Sequence, residues 1–154
     1  MPILQSSDRS AIQDKLKEEL ESDVKITLFT KNTLGGLYIP GRECQTCETT
    51  QTLMEEVTEL SPKITLEVID YYGNQSLAQE RGVDKIPAII FDSEGTDSLK
   101  YYGLPGGSEF PVFLDTLVSV SEDKSNLEVE SISSLRRLDD SCQDIHIQVF
   151  VTPN

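Results

Sequence analysis

Two cysteines separated by two residues are the side chains of this 154-residue chain that are best suited to chemistry. Cys44 and Cys47 enclose Gln45 and Thr46, and this spacing allows the two sulfur atoms to form a disulfide without movement of the backbone. The pair follows a segment with the pattern of a strand and precedes a segment with the pattern of a helix. Because a helix N-terminus stabilises a thiolate, the sequence predicts a pair that alternates between dithiol and disulfide.

The order of the cysteines predicts a different role for each. Cys44, at or just before the first helical turn, is expected to be the exposed nucleophile, because unpaired backbone N–H groups and the helix dipole favour a thiolate there. Cys47, one turn further in, is expected to be the resolving thiol, partly covered by the helix. Arg42 favours the thiolate, whereas Glu43 and Glu48 oppose it. The sequence does not decide whether the net effect of these charges stabilises the thiolate.

Composition excludes several classes of function. The formal net charge of −14 argues against nucleic-acid binding, which needs clustered Lys and Arg. Residues 1–10 do not resemble a signal peptide, and no apolar run reaches the length of a membrane span. We therefore expect a cytoplasmic protein that does not bind membranes. In that reducing compartment a Cys-x-x-Cys pair is more often catalytic or metal-binding than structural.

Hydrophobic periodicity places the cysteines within a series of strands and helices. The predicted elements are a helix from a Ser10 capping box to Ser22, a strand over 24–30, a helix from the cysteines to Pro62, a strand over 64–68, a short helix over 74–81 ended by Gly82, a buried strand over 86–91, a hairpin strand over 99–102 and a helix carrying Phe110, Phe113, Leu114, Leu117 and Val118. Right-handed crossovers then give a mixed sheet with helices on both faces. The first two strands are expected to be parallel and the hairpin antiparallel, which is the thioredoxin-like α/β arrangement.

The pattern restarts after Val118. A further helix is predicted over 127–138, and an alternating strand over 144–150 matches residues 23–29 at an Asp, an Ile and a Phe. We therefore expect a thioredoxin-like domain over 1–122, with 123–154 supplying the helix and strand that begin a truncated second unit. The edges of a strand over 145–151 would be unpaired, which predicts a homodimer through this C-terminal strand.

The chain resembles the glutaredoxin-like protein disulfide oxidoreductases, which contain two thioredoxin-fold units in tandem, and corresponds to their N-terminal unit. The matching stretches are Cys-Gln-Thr-Cys at 44–47, Lys-Ile-Pro at 85–87 and Tyr-Tyr-Gly-Leu-Pro-Gly-Gly at 101–107. The resemblance excludes the loop from Lys31 to Glu43, which is longer than in related sequences. Leu34, Leu37, Tyr38 and Ile39 in this loop either form a substrate-facing lid or cover the end of the core.

The resemblance implies a protein disulfide oxidoreductase that needs no organic cofactor and takes part in electron transfer and cell redox homeostasis. It implies a cis Pro87 opposite the cysteines, with the backbone of Ile86 free to pair with an extended substrate. It also implies cysteine-containing client proteins and a flavoprotein thioredoxin reductase as partners. The long loop puts in doubt the buried proton-relay carboxylate that the resemblance would imply. Glu67 is a possible substitute for it, but the alternation with Val68 does not decide which face of the sheet Glu67 lies on.

Two other classes of protein stay open. Cys142 and His146 would complete a Cys3His zinc set with the cysteine pair, but they lie across a helix-to-strand junction rather than on one helical face. We therefore expect no metal, with Cys142 as a surface thiol and His146 facing solvent. The third class is a non-enzymatic interaction module that retains the fold, which the unfinished repeat slightly supports.

Overall fold

A four-stranded mixed sheet forms the centre of the molecule in a computed structural model that describes residues 2–31, 40–92, 99–122, 127–139 and 146–151. The elements of the described residues are α1 (Ser6–Glu19), β1 (Val24–Thr30), α2 (Cys47–Glu59), β2 (Ile64–Asp70), α3 (Gln75–Glu80), β3 (Ala88–Asp92), β4 (Lys100–Tyr102), α4 (Glu109–Glu122) and α5 (Val129–Asp139). The strand order is β2-β1-β3-β4.

The pairing of the strands confirms the predicted thioredoxin-like topology. β1 and β2 are parallel, whereas β3 is antiparallel to both β1 and β4. The carboxyl ends of β1 and β2 therefore lie at the same edge of the sheet. β3 begins at that edge, because Ala88 is opposite Phe29. We call this edge, where β1 and β2 end and β3 begins, the site edge.

Helices cover both faces of the sheet, as the order of the elements predicted. α1, α2 and α4 share one apolar core with Ile26 and Leu28 of β1. Phe29 points to the opposite face, where it packs with Ala78 of α3 and Ile90 of β3. Neighbouring residues of β1 therefore enter two different cores, with Ile26 and Leu28 in one and Phe29 in the other.

The first helix begins earlier than predicted. α1 starts at Ser6, so Ser10 lies inside the helix and does not cap it. The side chain of the N-cap residue makes no capping hydrogen bond, and the backbone N–H groups of Ile3 and Leu4 donate to the Glu56 carboxylate at 2.7 and 3.0 Å. A contact with a residue far away in the sequence therefore fixes this chain end, and the local capping pattern does not.

The predicted C-terminal helix is present in the structure, whereas the described part of the predicted strand is not assigned to a strand. α5 covers most of the range predicted for the extra helix. The described part of the predicted strand, residues 146–151, belongs to no strand, and its side chains are exposed. An isolated segment has no neighbour to accept its backbone hydrogen bonds, so alternation alone does not make it a strand.

Some sequence interpretations fall on residues outside the described ranges. These are the apolar residues of the loop before the cysteines, and Cys142. None of the helices in the described ranges combines the length and the hydrophobicity needed to cross a bilayer.

Candidate functional site

Cys44 and Cys47 form a disulfide at the site edge, with an S–S distance of 2.01 Å and a Cα–Cα distance of 5.5 Å. Cys47 is the first residue of α2 and is only 2% exposed, whereas Cys44 is partly exposed. Cys44 lies three residues before the helix, so it is further from the first turn than the sequence predicted. An external thiol can therefore approach the sulfur of Cys44 more easily than that of Cys47.

The N-terminus of α2 gives the cysteines a polar backbone environment. The first N–H groups of a helix have no acceptor inside the helix, and the helix dipole places partial positive charge there. Thr46, the N-cap residue, makes no capping hydrogen bond with its side chain. The N-terminus of the helix therefore favours negative charge next to Cys47. The carboxylate of Glu48 in the first turn disfavours a second negative charge there.

Ile86 and Pro87 lie against Cys44, as the family resemblance implied. The Ile86–Pro87 peptide bond is cis, and Pro87 is buried. The sulfur of Cys44 is 3.8 Å from the carbonyl oxygen of Ile86. Gly103 of the Gly-Leu-Pro-Gly-Gly stretch donates its backbone N–H to the Pro87 carbonyl at 2.9 Å. The structure therefore brings together all four predicted site residues.

Arg42 contacts an aromatic ring that was not among the site residues predicted from the sequence. Its guanidinium carbon lies 4.7 Å from the centroid of the Tyr72 ring. Tyr72 follows β2 in the chain, and β2 ends at the site edge because it is parallel to β1. The signal in the sequence was a pair of tyrosines directly after the second parallel strand, which places them next to the end of the first.

Glu67 lies on the surface of the sheet. Its side chain is 51% exposed and accepts a hydrogen bond from Lys25 Nζ at 2.5 Å. This hydrogen bond raises the pKa of Lys25 above its usual value. Since Lys25 lies near the start of β1, at the end of the strand opposite the site edge, the structure gives Glu67 a surface ion pair and no contact with the disulfide.

The zinc alternative depends on a residue outside the described ranges, because Cys142 is not described, while His146 is exposed as predicted. Within the described ranges, no group of three or more His, Cys, Asp or Glu side chains is arranged to hold a metal ion. The two cysteines of the proposed set are bonded to each other here, and a disulfide sulfur does not act as a thiolate ligand.

Two of the solved structures that match this architecture come from proteins that share little sequence with this chain. A protein disulfide oxidoreductase from Aeropyrum pernix K1 superposes with a TM-score of 0.72 at 23% identity, covering 87% of this chain and 55% of its own. An N-terminal domain structure of the alkylhydroperoxide reductase AhpF from Enterococcus faecalis V583 gives 0.66 at 21% identity, with coverages of 82% and 57%. At such identities the likeness concerns the fold, and this chain spans little more than half of either protein chain.

Sequence comparison provides the family. No curated protein matches the chain. A family model described as a thioredoxin domain matches residues 37–114, which is just over half of the chain. This match includes both cysteines of the disulfide and the cis Ile86–Pro87 bond, whose carbonyl oxygen faces the Cys44 sulfur. The chain therefore belongs to the thioredoxin-domain family.

Proposed function

We propose that this protein is a thiol–disulfide oxidoreductase that exchanges electrons with protein disulfides through Cys44 and Cys47. The observation that carries the proposal is the unequal exposure of two bonded cysteines, of which the partly exposed Cys44 lies next to the cis Ile86–Pro87 bond. An exposed sulfur is accessible to a partner thiol or disulfide, and a buried sulfur beside it is protected from that partner.

Reduction of a client proceeds in two exchanges. The Cys44 thiolate attacks one sulfur of the client disulfide, forming a mixed disulfide and releasing the other client sulfur as a thiolate. The Cys47 thiolate then attacks Cys44, which forms the Cys44–Cys47 bond and releases the second client thiolate. Two electrons pass to the client, and the reverse sequence oxidises a client dithiol. No organic cofactor enters either step.

Ile86 and Pro87 are the substrate-binding residues of this proposal. Their support is the 3.8 Å distance between the Cys44 sulfur and the Ile86 carbonyl oxygen, which puts a backbone edge within reach of any chain bonded to Cys44. A client segment in extended conformation would hydrogen-bond to the backbone of Ile86 while its cysteine reacts.

Partners and location follow from the same chemistry. We propose cysteine-containing client proteins as substrates and a flavoprotein thioredoxin reductase as the source of electrons. A reducing compartment such as the cytoplasm suits a protein whose cysteine pair must be able to reopen. The protein disulfide oxidoreductase of Aeropyrum pernix K1 shares the fold and supports the reaction class.

Insulin reduction with a dithiol reductant tests the proposal. Cys44→Ser should abolish activity, because no sulfur is left to attack the client. Cys47→Ser should also lose turnover but accumulate a mixed disulfide at Cys44, which mass spectrometry detects. Wild-type activity in both serine variants would contradict the proposal. The same variants can be loaded with an oxidised client peptide to identify which sulfur forms the bond.

A second candidate function, interaction through the C-terminal segment, is favoured by one specific observation. Ile147, Val149 and Phe150 are 80%, 81% and 88% exposed, which is unusual for apolar side chains so close together in sequence. We propose that this segment pairs with the same segment of a second copy. Such self-association involves neither Cys44 nor Cys47, so either function can fail without the other.

A further inference from the structure

Arg42 forms a contact that links the chain before the disulfide to a different part of the fold. Residues 40–46, which we call the cysteine segment, contain neither helix nor strand. Arg42 of this segment is stacked on Tyr72, with its guanidinium carbon 4.7 Å from the ring centroid. A guanidinium at this distance from an aromatic face is attracted by the charge distribution of the ring.

Tyr72 belongs to a turn that several hydrogen bonds hold in place. The backbone N–H of the neighbouring Tyr71 donates to the Thr30 carbonyl at 2.9 Å, at the end of β1. At the other end of the turn, Gly73 donates its N–H to the Asp70 carboxylate at 2.8 Å. The rings of Tyr71 and Tyr72 meet edge to face with centroids 5.3 Å apart. Arg42 is therefore attached to a part of the structure that has little freedom to move.

The same turn is also connected to the cis-proline side of the site. The Tyr71 hydroxyl donates to the carbonyl of Asp84 at 3.3 Å, two residues before Ile86. A continuous series of contacts thus runs from Arg42 through Tyr72 and Tyr71 to the chain that carries Ile86. This series fixes Cys44 relative to Ile86 by a route that does not use the disulfide bond.

We propose that the stacking of Arg42 on Tyr72 is the positioning contact that keeps Cys44 close to Cys47 and Ile86 after the disulfide opens. The proposal rests on the proposed function, in which the pair cycles between two states. In the disulfide state a covalent bond holds the cysteine segment. In the dithiol state that bond is gone, and the contact with Tyr72 limits how far Cys44 moves from its partner.

The proposal has a measurable consequence for the redox equilibrium. Two glutathione thiols reduce the Cys44–Cys47 bond and leave one glutathione disulfide and the protein dithiol. A dithiol that is held in place loses less freedom when the bond closes, so positioning favours the disulfide. Without the stacking, the dithiol gains freedom and the equilibrium shifts towards it. The shift expected from a partly exposed cation–π contact is about two- to fivefold.

The experiment is titration of the full chain with reduced and oxidised glutathione, comparing wild type with Tyr72→Leu, Tyr72→Phe and Arg42→Gln. Tyr72→Leu and Arg42→Gln should both shift the equilibrium towards the dithiol by about two- to fivefold. Tyr72→Phe keeps the aromatic face and should match wild type. Tyr102→Leu is the matched control, because it makes the same substitution at another tyrosine that lies near a cation. It removes a tyrosine whose cationic partner, Lys85 at 5.8 Å, lies outside the cysteine segment, and it should match wild type as well.

Three results would overturn the proposal. An unchanged equilibrium in both Tyr72→Leu and Arg42→Gln would mean that other contacts hold the cysteine segment. A shift of Arg42→Gln towards the disulfide would mean that the guanidinium acts by stabilising thiolate charge and not by positioning. A shift towards the dithiol in Tyr72→Phe as large as that in Tyr72→Leu would mean that the Tyr72 hydroxyl, and not its aromatic face, is responsible. If wild type itself neither equilibrates with glutathione nor reduces insulin, the proposed function fails instead.

Discussion

Glu56 is a carboxylate on the buried side of α2, where it holds the beginning of the chain. It accepts the backbone N–H groups of Ile3 and Leu4 at 2.7 and 3.0 Å and an Arg9 guanidinium N–H at 3.1 Å. Burial alone would raise the pKa of Glu56, but these two backbone donors and the charge of Arg9 outweigh it and hold the pKa below its usual value. The ionised form is therefore part of the folded structure.

We expect Glu56→Gln to lower the free energy of unfolding at pH 7 by roughly 1–3 kcal/mol, because charge-assisted hydrogen bonds are lost inside the protein. A lowered pKa in the folded state stabilises the fold above the unfolded carboxyl pKa of about 4.3, and this contribution disappears as the pH falls. The difference between variant and wild type should therefore shrink below about pH 4. Urea unfolding of the variant and the wild type, at pH 7 and below about pH 4, measures this difference in stability.

Glu59→Gln is the matched control for this experiment. Glu59 binds the same Arg9 at 2.9 Å from the same helix, but its side chain is 68% exposed. The expected change is less than about 0.5 kcal/mol, since exposed ion pairs contribute little. If both variants lost the same stability, the buried hydrogen bonds of Glu56 would not be the cause.

The site residues differ in how well the sequence reveals them. Cys44, Cys47 and the Ile86–Pro87 pair carry their chemistry in their residue types and spacing, so the pattern and the resemblance were enough to predict that they meet. Tyr72 was missed because its role depends on a ring lying over Arg42, thirty residues away in the chain. A contact of this kind has no local periodicity, and the parallel pairing of β1 and β2 is what places Tyr72 at the site edge.

At the scale of elements, α4 was predicted well because one face of it is continuously apolar. Phe113, Leu114, Leu117 and Val118 are all buried, and the ring of Phe113 lies 5.3 Å from that of Phe91 in β3. An apolar stripe with the period of a helix is buried only when that face of the helix packs against the apolar face of the sheet. The beginning of α1 and the segment 146–151 were predicted less well, since each depends on a partner that the local pattern does not contain.

Leu117→Ala tests how much the packing of α4 contributes to the free energy of unfolding. Leu117 is 0% exposed, so removal of its side chain leaves a cavity in the core shared with α1, α2 and β1. We expect the free energy of unfolding to fall by about 2–5 kcal/mol in chemical denaturation. Val112 on the same helix is 63% exposed, and Val112→Ala should change stability by less than about 0.5 kcal/mol. Equal losses in the two variants would contradict the packing described for α4.

At the scale of the whole molecule, the last described residues differ from the rest of the chain. Residues 146–149 alternate polar and apolar side chains, and the apolar Phe150 and Val151 follow. The whole segment 146–151 nevertheless belongs to no strand and is exposed. Apolar residues of α5 and of the chain just before it are exposed as well, since Leu127, Val129 and Leu135 are 51%, 79% and 48% exposed. Whether residues 123–154 begin a second thioredoxin-like unit stays a prediction.

Self-association of the full chain is the expected outcome at this scale. Two copies of 146–151 can pair as antiparallel strands around a twofold axis, which would supply the backbone partners that each copy lacks. Because each copy carries a net charge of −14, the copies repel each other, and this repulsion is screened by salt. We therefore expect dimerisation to strengthen as the ionic strength rises, measured by sedimentation equilibrium over a range of protein concentrations.

Two lysine variants locate the surface responsible. Val149→Lys puts a charge into the proposed strand pair and should weaken dimerisation by at least about tenfold, because an apolar contact becomes a buried charge. Leu135→Lys adds the same charge to α5 and should leave the dimer unchanged. A wild-type chain that stays monomeric at high concentration and high salt would contradict the pairing. A dimer weakened by Leu135→Lys and not by Val149→Lys would instead assign the interface to the helix, leaving the exposed apolar residues of 146–151 without a structural role.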